Sequence, residues 1–270
     1  MVIEDAAFRH AVDLVDAGQV EALREYLAAS PDLARRRVAL KNEGYFSNPP
    51  LLAFIAENPV RQGSLPASIV EVARVILEAG VKDDKAAVNE TLMLVASGRV
   101  PRECGVQVPL VDLLCDFGAD PDDAMNGAIA HGEFEAVKAL LGRGARRSLP
   151  AMAALGQSDE VARLLAPAGA EERHRALAVA VQFGHYGIVR LLLDEGEDPS
   201  RFNPSGFHAH STPLHQAALA GHSEVVRLLV MHGAALDVKD SIWQGTPADW
   251  ARHGGILPAE LCHLLEVETK

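Results

Sequence analysis

Thr212-Pro213-Leu214-His215-Gln216-Ala217-Ala218 is followed by Gly221-His222, then Val225-Val226-Arg227-Leu228-Leu229, then Gly233-Ala234. A second copy begins at Thr246-Pro247, with Trp250-Ala251 and Gly254-Gly255, a step of 34 residues from Thr212 to Thr246. A period of this length marks a chain of stacked supersecondary units, each too small to bury its own apolar face. Working outward, one pattern recurs: a Gly, an aliphatic residue five positions later, and two more apolar residues three and four positions after that. It is met at Gly18/Leu23/Tyr26-Leu27, Gly132/Val137/Leu140-Leu141, Gly156/Val161/Leu164-Leu165, Gly184/Val189/Leu192-Leu193 and Gly221/Val226/Leu229-Val230. The i, i+3, i+4 spacing places the aliphatic residues on one helical face. The Gly before them closes the preceding helix, where a left-handed residue is needed.

A second series, Gly80, Gly118, Gly144, Gly169, Gly196 and Gly233, ends the second helix of six units, at spacings of 38, 26, 25, 27 and 37 residues. The short spacings hold two helices and a tight turn but no β-hairpin finger. The middle of the chain, Asp120 to Glu197, is therefore expected to be bare helix pairs, with the loops carried by the longer units. Eight units result, with first helices predicted at Ala7–Ala17, Leu51–Glu57, Asn89–Ser97, Ala124–His131, Leu149–Leu155, Arg173–Phe183, Pro213–Ala220 and Pro247–Arg252. Inserts fall at Asn58–Pro66 and Arg99–Gly105, and Arg35–Pro50 is a long connection holding Tyr45 and Phe46, expected to be exposed and a place to look for an interface between subunits. The N-terminal residues and Leu261–Lys270 are expected to act as caps, because terminal repeats need one polar face.

The offsets in Thr212–Asp240 resemble the ankyrin repeat: Thr-Pro-Leu-His, Ala-Ala, Gly-His, Val-Val, Leu-Leu and Gly-Ala. The resemblance is strong from Asp120 onward and weaker before it. Gly206–His210 and Trp243–Ala251 are similar to a bacterial subgroup of ankyrin-repeat proteins. The resemblance implies an all-α ankyrin-repeat solenoid of about eight helix-turn-helix units, forming one domain over residues 1–270. Divergent repeats would occupy 1–119, compact repeats 120–197 and regular repeats 198–270. It also implies a non-catalytic scaffold for protein–protein interaction through a concave groove and the C-terminal finger loops. Asp249 departs from the pattern, standing where the repeat usually has His.

The composition agrees with a binding scaffold and narrows its partners. The 270 residues are 49% hydrophobic and only 5% aromatic, which suits helices packed through Ala and Leu. Net charge is −12 and the pI about 5.3, with no basic stripe of the kind a nucleic-acid duplex requires. Met1-Val2-Ile3-Glu4-Asp5 is not a secretory signal. No apolar stretch approaches the ~20 residues that span a bilayer. Three cysteines, Cys104, Cys115 and Cys262, form no paired framework. The reading is a cytosolic monomer with a protein or peptide partner, no nucleic acid, no membrane, no cofactor and no metal.

The candidate binding residues are Phe207, His208, His210, Asp240, Trp243, Gln244 and Trp250. Gly196 to Gly221 is 25 residues against roughly 21 in a regular unit, so the loop between them is stretched. Both tryptophans lie within Trp243–Trp250, and seven of eleven histidines lie at or after His208. Loops on a rigid scaffold concentrate binding residues, and Trp is enriched at interface hot spots. Equally, the tryptophans could close the core against the last helix pair. The alternative function is a small-molecule or enzymatic site on loops 202–210 and 240–250, walled by Phe207, His208, His210, Asp240 and Trp243, with a His as acid or base. His208-x-His210 with Asp240 has the ligand types of a Zn²⁺ or Fe²⁺ site, but no further motif supports one. His185, His215 and His222 fit the repeat and are expected to hydrogen-bond neighbouring turns. Cys104 is read as an incidental thiol, with a reactive role as the alternative.

Overall fold

The computed structural model describes residues 2–41 and 44–266. Val267–Lys270, part of the expected C-terminal cap, lie outside the described residues. The chain is all-α, with no β-strand among the described residues, and it divides into two compact units, Met1–Arg146 and Arg147–Lys270.

In the first unit, α1 (Ala6–Asp16) pairs with α2 (Val20–Ala29), and the short α3 (Asp32–Arg35) follows. A 3-10 helix at Leu51–Ala56 pairs with α4 (Ile69–Glu78), α5 (Lys85–Ala96) with α7 (Gln107–Asp116), and α8 (Pro121–Ala130) with α9 (Phe134–Gly142); α6 (Arg99–Glu103) lies between α5 and α7. In the second unit, α10 (Leu149–Ala154) pairs with α11 (Ser158–Leu165) and α12 (Ala170–Gln182) with α13 (Tyr186–Asp194). There α14 (Pro213–Leu219) pairs with α15 (Ser223–Met231), and α16 (Pro247–Gly254) with α17 (Ala259–Leu264). These are the eight expected pairs.

Start signals are local. Asp5 accepts from the Ala7 and Phe8 N–H groups at 3.0 Å each, Asp84 from Ala87 at 3.1 Å, and Asp120 from Asp122 at 3.0 Å. Pro follows the cap at α8, α14 and α16, where its missing N–H is not needed. Some first helices are buried all round, as in α10, where all six residues are, whereas α8 leaves Asp122, Asp123 and Asn126 exposed. Second helices bury one stripe, such as Ile188, Val189, Leu192 and Leu193 of α13.

The middle fingers are truncated as expected: four residues, Ala166 to Gly169, connect α11 to α12. Gly18, Gly132, Gly156, Gly184 and Gly221 all have positive φ between 64° and 72°, as their helix-closing role requires. Gly169 is an exception in the second series. Its φ is −71°, and it is the N-cap of α12 rather than the end of α11.

The turn glycines also explain how successive pairs stack. A Cβ at Gly156 would stand 2.9 Å from the His185 ring, and one at Gly184 2.8 Å from the His222 ring. The same rings reach back to carbonyls of the preceding pair, His185 Nε2 to Ala154 and His222 Nε2 to Gln182, both at 3.1 Å. Ile256 covers Gly221 in the same way, 2.6 Å from where a Cβ would stand.

Two expectations in the first unit are corrected. Leu51–Ala56 is 3-10 rather than α, and Glu57 leaves it with φ 47°. Its buried carboxylate accepts from the Arg61 and Gln62 N–H groups at 2.6 and 2.8 Å, shaping the Asn58–Pro66 insert. Tyr45 is exposed, but Phe46 is buried edge-on to Phe54 with ring centres 5.5 Å apart, so the two do not form one exposed patch. Cys104 is exposed at the end of α6.

Candidate functional site

The stretched loop before α14 folds around one aromatic anchor. Pro204-Ser205-Gly206-Phe207 turns with Gly206 at φ 87°, and the Phe207 N–H donates to the Pro204 carbonyl at 3.0 Å. Phe207 then inserts into the core, 3% exposed. His208 follows at φ 60°, a left-handed position unusual for a residue with a Cβ. Ser211 closes the loop, its N–H and hydroxyl both donating to the His208 carbonyl. The Ser241 N–H donates to the His210 carbonyl at 2.8 Å, tying this loop to the next finger.

That finger is organised by Asp240, which is fully buried. One carboxylate oxygen accepts from the Ile242 and Trp243 N–H groups at 2.9 and 2.7 Å, the other from the Gly245 N–H at 2.8 Å and the Trp250 indole at 3.0 Å. Burial alone would raise its pKa. The hydrogen bonds from Trp243, Trp250, Gly245 and Ile242 outweigh it and hold the carboxyl well below its usual range. Gln244, at φ 58°, completes the loop by donating its amide to the Asp240 carbonyl at 3.1 Å. Two left-handed non-glycine residues thus flank the same place, and strain of this kind concentrates where side chains must be aimed.

His215 links the finger to α14. The Thr212 N–H donates to its Nδ1 at 3.2 Å, so Nδ1 is unprotonated and Nε2–H donates to the Gly245 carbonyl at 3.1 Å. Burial lowers its pKa, partly offset by the Gly245 carbonyl and the Asp240 charge, and it stands as a neutral structural imidazole. Asp249, which replaces His in the next unit, keeps the capping half of this role: it accepts from the Thr246 N–H at 2.9 Å and hydroxyl at 2.8 Å.

Between the loop and the finger lies an open cleft of about 760 Å³. Of the predicted residues, His208, His210, Trp243, Gln244 and Trp250 line it. The rings of His210, Trp243 and Trp250 are in mutual contact, with centres 5.3 to 5.8 Å apart. Trp250 is buried and Trp243 is 68% exposed, so one tryptophan serves as floor and the other as free wall. Phe207 and Asp240 are not lining residues; both support the wall from behind. Gln216, Leu219, Asp249 and His253 also line the cleft, unpredicted by the sequence. The one available signal was helical spacing, since His253 follows Trp250 by three residues.

The arrangement limits the chemistry. Asp240 is turned away to its own loop, so the weighed His208/His210/Asp240 ligand set is not assembled. Among the described residues, no group of three His, Cys, Asp or Glu is placed to hold a metal ion. Among them, too, no helix is long and apolar enough to cross a membrane. A second cleft, of about 470 Å³, lies in the first unit beside exposed Tyr45, Val60 and Met93.

Comparison with known proteins gives consistent matches. The family model for ankyrin repeats (three copies) matches residues 125–203 and, again, 149–240. Cyclin-dependent kinase 4 inhibitor B of Rattus norvegicus is 33% identical over 122 residues, 43% of this chain and 89% of that protein. Its Homo sapiens counterpart is 30% identical over 118 residues, 42% of this chain and 83% of that protein. Apoptosis-stimulating of p53 protein 2 of Homo sapiens is 38% identical over 58 residues, 22% of this chain and 5% of that protein. The crystal structure of the human ASB11 ankyrin repeat domain aligns with 81% of this chain and 99% of its own, at 20% identity and a TM-score of 0.39.

Proposed function

Since the chain belongs to the ankyrin-repeat family, we propose that it works by binding and not by catalysis, docking a protein or peptide partner, as a monomer, at the cleft between loop 202–210 and finger 240–250. The observation that carries this reading is Trp243: a large aromatic side chain, 68% exposed, held beside an open cleft by a finger with a left-handed residue at Gln244, opposite a loop with another at His208. Water-exposed tryptophan on a rigid frame is the residue type that dominates interface energetics. The names of the relatives lend support, since an inhibitor of cyclin-dependent kinase 4 acts on another protein.

Trp243→Ala tests the reading. Trp243 is on the surface, so folding stability should change by less than ~0.5 kcal/mol. Partner binding should weaken at least tenfold, which is about 1.4 kcal/mol. Affinity capture from the native cell, with thermal melts run in parallel, measures both. An unchanged capture profile would sink the reading. Trp250 is a poor probe, because it is buried and removing it takes one of four donors from the buried Asp240 carboxylate. A small-molecule ligand is the second reading: a volume of about 760 Å³ lies in the usual range for such sites, roughly 300–1,000 Å³.

A further inference from the structure

The hydrogen bonds of the two cleft glutamines determine what the cleft offers a ligand. Gln216 donates its amide to the Ser211 hydroxyl at 2.9 Å, and Gln244 donates its own to the Asp240 carbonyl at 3.1 Å. In each, one amide N–H is held by the protein, and the amide oxygen takes no hydrogen bond from a described residue. Asp249 adds a carboxylate to the lining, and no lysine or arginine lines the cleft. The Trp250 indole N–H is already engaged by Asp240 at 3.0 Å, so Trp250 contributes a ring and no donor. Apart from the imidazoles, which take either role, and the second amide N–H of each glutamine, the polar groups are acceptors set beside aromatic faces.

An anion would meet a carboxylate and the negative faces of two indoles. An apolar side chain would desolvate three acceptors without supplying a donor. A planar cation with several N–H groups satisfies both the acceptors and the rings, and arginine has that form. Asp249 already accepts from the guanidinium of Arg252 at 2.7 Å, and Arg252 also donates to Glu266 at 3.3 Å. Arg252 is thus shared between Asp249 and Glu266, which His263 also meets at 3.1 Å, so the Asp249 carboxylate at the cleft can still attract a second cation. Resting on the binding role proposed above, we propose that this cleft receives an arginine side chain of the partner. Its guanidinium lies against Trp243, and its N–H groups donate to Asp249 and to the Gln216 and Gln244 amide oxygens.

The probe is N-acetyl-arginine N-methylamide, with the lysine, leucine and glutamate analogues beside it, titrated at low salt into the ¹⁵N-labelled full chain. Two tryptophans give two indole N–H resonances to follow. The arginine analogue should move the Trp243 signal saturably, with a Kd on the order of millimolar. The lysine analogue should bind several-fold more weakly, and the leucine and glutamate analogues should not saturate. Trp243→Ala, followed through the Ser241 to Gly245 backbone amide signals, and Asp249→Asn should each weaken the arginine analogue at least about threefold, for loss of one cation–π or charged contact. The Trp250 resonance, set by Asp240, reports that the site is still folded in each variant. Equal binding of the leucine analogue, no saturable shift with the arginine analogue, or arginine binding untouched by Trp243→Ala overturns the proposal. Partner capture separates the two readings. If Trp243→Ala abolishes capture but the leucine analogue is preferred, arginine recognition alone fails. If capture also survives the variant, the binding role at this cleft fails too.

Discussion

A carboxylate wholly shielded from solvent stays charged only if donors surround it, and Asp240 has four. Asp240→Asn keeps the shape but turns an NH₂ group toward N–H groups, so stability at pH 7 should fall by about 2–4 kcal/mol. The sign of the pH dependence follows from the lowered pKa. The folded state favours the charged form, so the contribution is complete above the unfolded carboxylate value of ~3.9 and is lost as pH falls below it. His215 acts in an earlier window. Its folded pKa is also lowered, the folded state favours neutral imidazole, and stability is lost as pH falls below the unfolded value of ~6.5. Urea unfolding followed by tryptophan fluorescence from pH 8 to 3 should therefore show two acid losses. Asp240→Asn should shrink the lower one, to which Asp5, Glu171, Asp249 and Glu266 also contribute through their own lowered pKa values, and His215→Gln should remove the upper one; a variant with an unaltered pH profile contradicts its assignment. Both tryptophans and both loop histidines named as candidates from the sequence line the cleft. Sequence alone misread Phe207 and Asp240, because a side chain's direction off a loop depends on backbone torsions such as φ 60° at His208 that composition does not reveal.

At the scale of the element, helix–helix approach decides what a glycine is worth. Gly254 ends α16, and a Cβ there would stand 2.7 Å from the Leu219 carbonyl oxygen of α14. Gly→Ala in a helix ordinarily gains up to ~1 kcal/mol. Here the added carbon meets backbone that cannot rotate away, and overpacking costs ~1–3 kcal/mol. Gly254→Ala should therefore destabilise by about 1 kcal/mol, seen as a lower Tm; a higher Tm would show that the two helices separate freely. The helices themselves were legible because their signals are local: aliphatic spacing, a turn glycine, a capping residue before Pro. Leu51–Ala56 was the exception. It is buried on every side, so no amphipathic period separates α from 3-10, and the conformation is set by its neighbours.

For the molecule as a whole, a repeat architecture couples each helix pair chiefly to its neighbours, so damage should stay local. Amide hydrogen exchange by mass spectrometry should show Asp240→Asn accelerating exchange most in α14 to α17 and least in α1 and α2. A uniform increase would mean that the chain opens as one cooperative body. The contacts of Gly156 with His185 and of Gly184 with His222 bear on a different matter, how such a chain lengthens over generations. The α12–α13 pair brings a ring that fits the turn before it, His185, and a glycine that accepts the ring after it, Gly184. A duplicated stretch running from one of these glycines to the next meets compatible partners at both joins, with no compensating substitution at either. At Gly221 the covering side chain is Ile256, which seals the turn but has no ring nitrogen for the carbonyl beneath, so a copy joined there loses that hydrogen bond. Duplication is least disruptive between Gly156 and Gly221, and length variants should carry their extra pairs there.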